Sequence, residues 1–234
     1  NDRDYQTVWN AAKALKKLFA ERSDQKGGAT SNLNTIPDEP TPTGGGSGAG
    51  RAFSVQKYGM MQWGDLFNVR QSLSMFHLID ARRKILKELK AGEWLWDVTA
   101  LLVSKHAELM SANCPWEPEA ECPRKTYNMQ ALPIRWEFAE GVVTSDSSGG
   151  IVVTLDNTIA TLEKIGSNWA IGSTELADAC SSPLSDAASV WFTDPPYYDA
   201  VPYADLSDFF YVWLKRSLWP LHSDLFSEDL SPKR

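Results

Sequence analysis

A short acidic and aromatic stretch offers the clearest chemistry in the chain. Residues 194–197 read Asp-Pro-Pro-Tyr. The carboxylate of Asp194 can accept hydrogen bonds from an amino group, and the carbonyl of Pro195 can accept another. The ring of Tyr197 offers a face on which a flat base can stack. The pattern predicts a clamp for a planar amine, with Tyr198 as a further substrate contact and four catalytic residues: Asp194, Pro195, Pro196 and Tyr197.

The apolar run Val190-Trp191-Phe192 leads into this clamp and is typical of a buried strand. The two prolines of the clamp would end the strand, because proline has no N–H to donate to a neighbour. Open α/β sheets bind their ligands at the carboxyl ends of strands, which is where this prediction places Asp194. A proline turn followed by packing aromatics is the alternative explanation of the four residues taken alone.

Longer segments share one resemblance. The run from Thr193 to Arg216 resembles the catalytic motif of S-adenosylmethionine-dependent amino methyltransferases, and in particular the DUF1156-type adenine-specific DNA methylases. Tyr58 to Gln71, which contains Trp-Gly-Asp-Leu-Phe, resembles the segment that these proteins carry between their cofactor and catalytic motifs. Ile36-Pro-Asp-Glu-Pro40 and Phe138-Ala-Glu140 are also similar to that family.

The resemblance implies methyl transfer to adenine N6 or cytosine N4, with adenine N6 in DNA preferred. The base would be flipped out of the duplex stack, where its amino group is otherwise buried. Correct positioning of the amine would supply most of the rate enhancement. By position in the family, Ser173 or Thr174 would contact the adenine of S-adenosylmethionine. A loop of small polar residues would contact the substrate: Ser147, Ser148 and Gly149.

The glycine-rich loop that binds the methionine end of the cofactor is not recognisable. Gly46-x-Gly48-x-Gly50 follows Pro-Thr-Pro-Thr and not a hydrophobic strand, so a linker is the better interpretation of Ser23 to Gly50. We therefore expect an incomplete cofactor site. We also expect a chain that starts at Asn1 to be a fragment cut at both ends and inactive in isolation.

Composition sets further limits. The formal net charge of −7 gives no global basic field for DNA, so any DNA contact needs a local patch. The three cysteines lack disulfide-like spacing, which suits a reducing cytoplasm. Cys114 and Cys122 are too far apart for a zinc ribbon, so we predict free thiols and no metal site. No apolar run is long enough for a membrane span, and no membrane partner is expected.

The predicted fold class is α/β, a partial Rossmann-like methyltransferase sheet with a largely helical N-terminal and insert region. Three regions are expected: 1–52, a helix and a Gly/Pro-rich linker; 53–126, a helical insert; and 127–234, a partial catalytic region. Strands are predicted at 132–138 and 190–192, and a short strand with its exit loop is predicted at 169–176. Helices are predicted at 4–22, from the N-cap Asn68, after Gly92, at 157–167, and from the N-cap Asp205 to before Pro220.

Hydrophobic periodicity also predicts which side chains are buried. Ile159, Leu162 and Ile165 should point inward, and His106 should lie in the core or at its boundary. The basic cluster on the second helix should be a solvated face: Arg82, Arg83, Lys84, Lys87 and Lys90. The apolar stripe on the last helix should pack against the sheet: Leu206, Phe209, Phe210, Trp213, Leu214 and Leu218.

Two other functions stay open. The protein could be a non-catalytic DNA-binding or scaffold component, with the helical insert as the surface for a partner. It could instead methylate an RNA or a protein amide nitrogen, although Asp194 stands where relatives directed at glutamine carry Asn. Other subunits of a modification or defence system are possible partners in each case.

Overall fold

The computed structural model describes residues 2–24, 33–45, 51–165, 170, 172–173, 189–195, 200–219 and 221–231. These residues include five α-helices: α1 (Asp2–Asp24), α2 (Val69–Glu88), α3 (Glu93–Ala107), α4 (Ile151–Ile165) and α5 (Tyr203–Leu218). Two 3-10 helices span Val55–Tyr58 and Trp63–Leu66. Strands β1 (Trp116–Glu117) and β2 (Cys122–Pro123) pair antiparallel, with Trp116 opposite Pro123 and Glu117 opposite Cys122.

The prediction of an α/β fold with a partial Rossmann-like methyltransferase sheet is wrong. The sheet of the described residues has two short antiparallel strands. Residues 132–138 form no strand, and Leu132 makes a single parallel bridge to Phe53. Val190, Trp191 and Phe192 are 82%, 55% and 96% exposed and form no strand. A strand needs a neighbour that shares its backbone hydrogen bonds, and the described residues provide none here.

Helix α2 begins where the sequence predicts. The side-chain oxygen of Asn68 accepts a hydrogen bond from the Gln71 N–H at 3.0 Å, and the Gln71 side chain accepts one from the Asn68 N–H at 2.9 Å. This reciprocal pair is a capping box, which satisfies two donors that the helix start would otherwise leave free. The predicted N-cap is confirmed, as are the predicted first helix and the helix after Gly92.

The core is built around α5. Phe209 and Trp213 are fully buried, and Phe67 contacts both rings, with centroids 6.1 and 5.1 Å away. The Trp63 ring meets Phe209 edge-on at 5.9 Å. The stripe therefore packs on the 3-10 segment and on α3, and the prediction that it covers a sheet is wrong. Helix α5 starts at Tyr203 with Pro202 as its N-cap, so Asp205 lies in the first turn and is not the cap.

Two arginines of the basic cluster bind the end of α5. Arg82 is 7% exposed and donates to the Thr99 hydroxyl at 2.7 Å and to the Ser217 carbonyl at 3.2 Å. Arg83 donates to the Arg216 carbonyl. Carbonyls in the last turn of a helix lack intrahelical partners, so these arginines cap α5. Burial lowers the pKa of Arg82 to about 10. The prediction of a solvated face is wrong for Arg82.

The described part of the predicted linker packs against the core. Glu39 is 7% exposed, and its carbonyl accepts from the Trp63 N–H at 2.9 Å. The Pro37 carbonyl accepts from the Gly64 N–H at 2.7 Å. A Cβ on Gly64 would lie 2.5 Å from that carbonyl oxygen, so this close approach requires glycine. Residues 33–45 therefore form a long loop that is packed against the core.

Helix α4 starts earlier than predicted and is largely exposed. It begins at Ile151, and along its length Thr154 is the one buried residue. The three side chains predicted to point inward are 44% (Ile159), 41% (Leu162) and 49% (Ile165) exposed. This prediction is wrong because the contact of α4 with α3 leaves its apolar stripe largely exposed among the described residues.

Two predictions about single side chains are confirmed. His106 is fully buried, and burial lowers its pKa to about 4. Cys114 and Cys122 are free thiols, and the Cys114 thiol donates to the Glu108 carbonyl at 3.3 Å. Among the helices described, none combines the length and the apolar character needed to cross a bilayer.

Candidate functional site

Of the predicted clamp, the structure describes the first two residues, Asp194 and Pro195. Asp194 and Pro195 are exposed, in a segment without regular secondary structure. Pro196, Tyr197 and Tyr198 lie outside the described residues, as does the predicted cofactor contact Thr174. Ser173 is described and exposed. The Asp194 carboxylate is therefore open to solvent and accessible to an amine.

The predicted substrate loop is a tight turn that leads into α4. Ser147 and Ser148 are exposed, and the Ser147 carbonyl accepts from the Gly150 N–H at 2.9 Å. Gly149 is buried with φ +92°, and a Cβ there would lie 2.8 Å from the Pro123 ring. Only glycine fits this position. Within the described residues, no hydrogen bond or ion pair joins this loop to Asp194.

Segments that carry the family resemblance meet at the end of α5. Arg216 is 3% exposed and donates to the Glu39 carboxylate at 2.8 Å and to the Asp38 carboxylate at 3.1 Å. It also donates to the Ile36 carbonyl at 3.3 Å. A buried guanidinium needs paired charge and hydrogen bonds to offset the loss of its hydration. The contacts therefore fix the Ile36–Pro40 segment against the helix that follows the clamp.

A second pair joins two more of these segments. Arg70 forms a fork with Glu140, with contacts of 2.8 and 2.5 Å, and Asn68 donates to the same carboxylate at 2.9 Å. The hydrogen bond to Glu140 raises the pKa of Arg70. This pair lines an open groove of about 470 Å³, which we call the Arg70 groove. The remaining lining residues are Ser74, Gly141, Val142, Val143 and Thr144.

A smaller cavity, the α5 cavity, lies at the beginning of α5. Its volume is about 390 Å³, and its walls come from Pro40–Gly45, Phe53, Gln56, Asp205 and Leu230. Helix α5 begins at Tyr203, so this end of the helix follows the clamp residues in the sequence. The α5 cavity therefore combines the proline-rich segment with the helix that follows the clamp.

The C-terminal segment returns along α5 to the same place. The Ser231 N–H donates to the buried Asp208 carboxylate at 2.9 Å, and the Ser231 hydroxyl donates to the Ala204 carbonyl at 3.0 Å. Lys215 donates to the Glu228 carbonyl at 2.7 Å. These contacts hold Leu230 at the wall of the α5 cavity.

Sequence reasoning missed the pairs of Arg216 with Glu39 and of Arg70 with Glu140. One signal was available for Arg216, since it follows Phe209 by two helical turns and so shares the buried face of α5. A charged residue on an apolar stripe predicts a buried partner of opposite charge. No local pattern identifies that partner, because Glu39 lies far away along the chain.

Within the described residues, no group of three or more His, Cys, Asp or Glu side chains could hold a metal ion. Comparison of the chain with models of protein families, with curated proteins and with solved structures finds no match. The functional interpretation consequently depends on the residues and on their arrangement.

Proposed function

We propose that the protein takes part in S-adenosylmethionine-dependent methylation of an exocyclic amino group of a nucleobase, adenine N6 in DNA, and that this chain binds the target amine. The supporting observation is that distant segments of the chain meet in the structure. Four segments that resemble the DUF1156-type methylases lie far apart in sequence but are joined by the Arg216 and Arg70 contacts and by the rings around Phe209. The helix at the centre of this arrangement follows the clamp a few residues later in the sequence.

The chemistry of the clamp follows from its residue types. The Asp194 carboxylate and the Pro195 carbonyl accept hydrogen bonds from an amino group and so orient its lone pair. Tyr197 and Tyr198 are proposed to stack on the flipped base. No strong base is needed, because correct orientation of the amine supplies much of the rate enhancement. Asp194 is exposed, which this role requires.

The described residues do not form a complete cofactor site. Ser173 is exposed and could contact the adenine of S-adenosylmethionine, and Thr174 is proposed for the same role. However, no glycine-rich turn after a strand is present among the described residues. We therefore propose that other residues of the protein, or another subunit, complete the cofactor site. S-adenosylmethionine supplies the methyl group when it is bound there.

The test is a methylation assay on the protein expressed from its complete reading frame. Transfer of a labelled methyl group to unmethylated DNA is measured for the wild type, Asp194→Ala and Asp194→Asn. We expect both variants to be about 100-fold slower, because a misplaced reacting group costs about that factor. Asp224→Asn is the matched control, since Asp224 is also an exposed aspartate and lies beyond α5.

Two results would contradict this proposal. Full activity of Asp194→Ala would remove the clamp from the mechanism. A wild-type protein that transfers no methyl group to DNA, RNA or free nucleosides would exclude the enzyme and favour the second candidate.

The second candidate is a non-catalytic DNA-binding or scaffold component. The largely helical fold and the exposed apolar stripe of α4 favour it, since such a stripe suits contact with a partner. It predicts DNA or subunit binding that is unchanged by Asp194→Ala. Co-sedimentation with DNA measures whether the wild type and Asp194→Ala bind DNA equally well.

A further inference from the structure

We propose that the α5 cavity is the pocket that receives the amino-bearing nucleobase. This inference rests on the proposed function, because it names the place where the target of that reaction is held. The volume of the α5 cavity, about 390 Å³, lies near the lower end of the range for small-molecule sites, which is roughly 300–1,000 Å³. The cavity therefore has room for one nucleoside.

The walls of the cavity suit a flat ring with amino hydrogens. Pro40, Pro42, Phe53 and Leu230 supply apolar surface. Gln56 donates its amide hydrogens to the Thr41 carbonyl, and its side-chain oxygen has no hydrogen-bond partner among the described residues. That oxygen is a hydrogen-bond acceptor on the wall of the cavity. A wall that combines apolar surface with a hydrogen-bond acceptor favours a planar amine over a phosphate.

The cavity is held in shape before any ligand binds. The Thr41 N–H donates to the Met61 carbonyl at 3.0 Å, and its hydroxyl donates to the Met60 carbonyl at 2.7 Å. Gly44 has φ +64°, and a Cβ there would lie 2.2 Å from the Phe53 carbonyl oxygen. Only glycine therefore lets this wall approach so closely. A preformed pocket lowers the entropy cost of binding.

The cavity and the clamp can both accept hydrogen bonds from the same exocyclic amino group. An exocyclic amine carries two hydrogens, so one can meet the acceptor of the α5 cavity while the other meets Asp194. Asp205 lies in the first turn of α5, and the clamp residues precede that helix in the chain. In this proposal the cavity holds the body of the base, and Asp194 accepts a hydrogen bond from its amino group.

Binding of free deoxyadenosine to the full chain tests the inference, with saturation-transfer NMR as the readout and no cofactor present. We expect Thr43→Trp, at an exposed position on the cavity wall, to weaken binding about ten-fold, which corresponds to about 1.4 kcal/mol. Thr144→Trp fills the Arg70 groove and is the matched control. Circular dichroism checks that both variants fold.

A second ligand tests the acceptor. Purine deoxyriboside, which lacks the amino group, should bind about five-fold more weakly than deoxyadenosine, as expected for one lost hydrogen bond. Gln56→Leu should reduce this preference, because it removes the acceptor on the cavity wall.

Several outcomes would overturn the inference. They are an absence of deoxyadenosine binding at saturating concentration, equal binding by Thr43→Trp, an equal effect of Thr144→Trp, or equal binding of the two nucleosides. Displacement of deoxyadenosine by a lysine-rich peptide at lower concentration would assign the cavity to a peptide amine. DNA methylation by the complete protein, together with any of these results, would leave the proposed function standing and reject this pocket alone.

Discussion

Helices α4 and α5 both carry an apolar stripe at helical spacing, but the structure places the two stripes in opposite surroundings. On α5, Phe209, Val212 and Trp213 are fully buried. On α4, the stripe residues remain between 41% and 44% exposed: Val152, Leu155, Ile159 and Leu162. The difference shows that periodicity identifies the face of a helix that can be covered, whereas coverage depends on elements elsewhere in the chain.

The two helices also differ in how their polar residues are satisfied. On α5, the buried Arg216 meets Glu39 and Asp38, and Arg82 and Arg83 bind the carbonyls of its last turn. On α4, the side-chain hydrogen bonds among the described residues are local, such as the one that the Thr158 hydroxyl donates to the Thr154 carbonyl at 2.8 Å. Long-range polar contacts thus accompany the buried stripe and hold distant segments around α5.

The largest loss of stability is expected for a substitution in the core around α5. Trp213→Ala should lower the free energy of unfolding by about 3–5 kcal/mol, because it removes a fully buried ring and leaves a cavity. Urea denaturation followed by circular dichroism measures the loss. Trp94→Ala is the control, since Trp94 is 64% exposed, and it should change stability by less than about 0.5 kcal/mol. Similar losses for the two variants would contradict the assignment of the core to α5.

An intermediate effect is expected for His106. Its folded pKa of about 4 lies below the ordinary value of 6.5, since burial disfavours the charged ring. The unfolded chain therefore takes up a proton first as pH falls, and stability is lost from pH 6.5 down to about pH 4. Linkage predicts a loss of about 2 kcal/mol between pH 7.5 and 5 from this group.

His106→Leu isolates that contribution, because the carboxylates titrate alike in both proteins. We expect the difference in unfolding free energy between wild type and variant to shift by about 2 kcal/mol over this pH interval. A constant difference would show that His106 becomes protonated without cost, which would conflict with its burial.

The smallest effect is expected on α4. Ile159→Gln should change the free energy of unfolding by less than about 0.5 kcal/mol, because the side chain is 44% exposed and glutamine is a good helix former. Urea denaturation under the conditions used for Trp213→Ala gives the comparison. A loss above about 1.5 kcal/mol would mean that the α4 stripe is covered in solution, so the contrast with α5 would fail.

Local features of the fold could be predicted from sequence. The capping box at Asn68 and the helix after Gly92 depend on residues within one or two turns. The burial of His106 followed from its place on a helical stripe. The strand at 190–192, the solvated Arg82 and the sheet beneath α5 were predicted wrongly, because each depends on a partner from a distant part of the chain.

The candidate site also has one part that the sequence could indicate and one part that it could not. The clamp at Asp194 was recognised from residue types and remains a prediction. The α5 cavity was not foreseen, since its walls combine Pro40–Gly45 with Asp205 and Leu230. No spacing along the chain indicates that these residues are neighbours.

The sequence by itself determined where the main helices lie and which side chains can accept hydrogen bonds from an amine, because propensity, capping and residue chemistry act over a few residues. The tertiary structure alone decided that α5 forms the core, that Arg216 meets Glu39, and that a cavity opens where α5 begins. Burial and ion pairing depend on which distant surfaces meet, and only the packed chain brings those surfaces together.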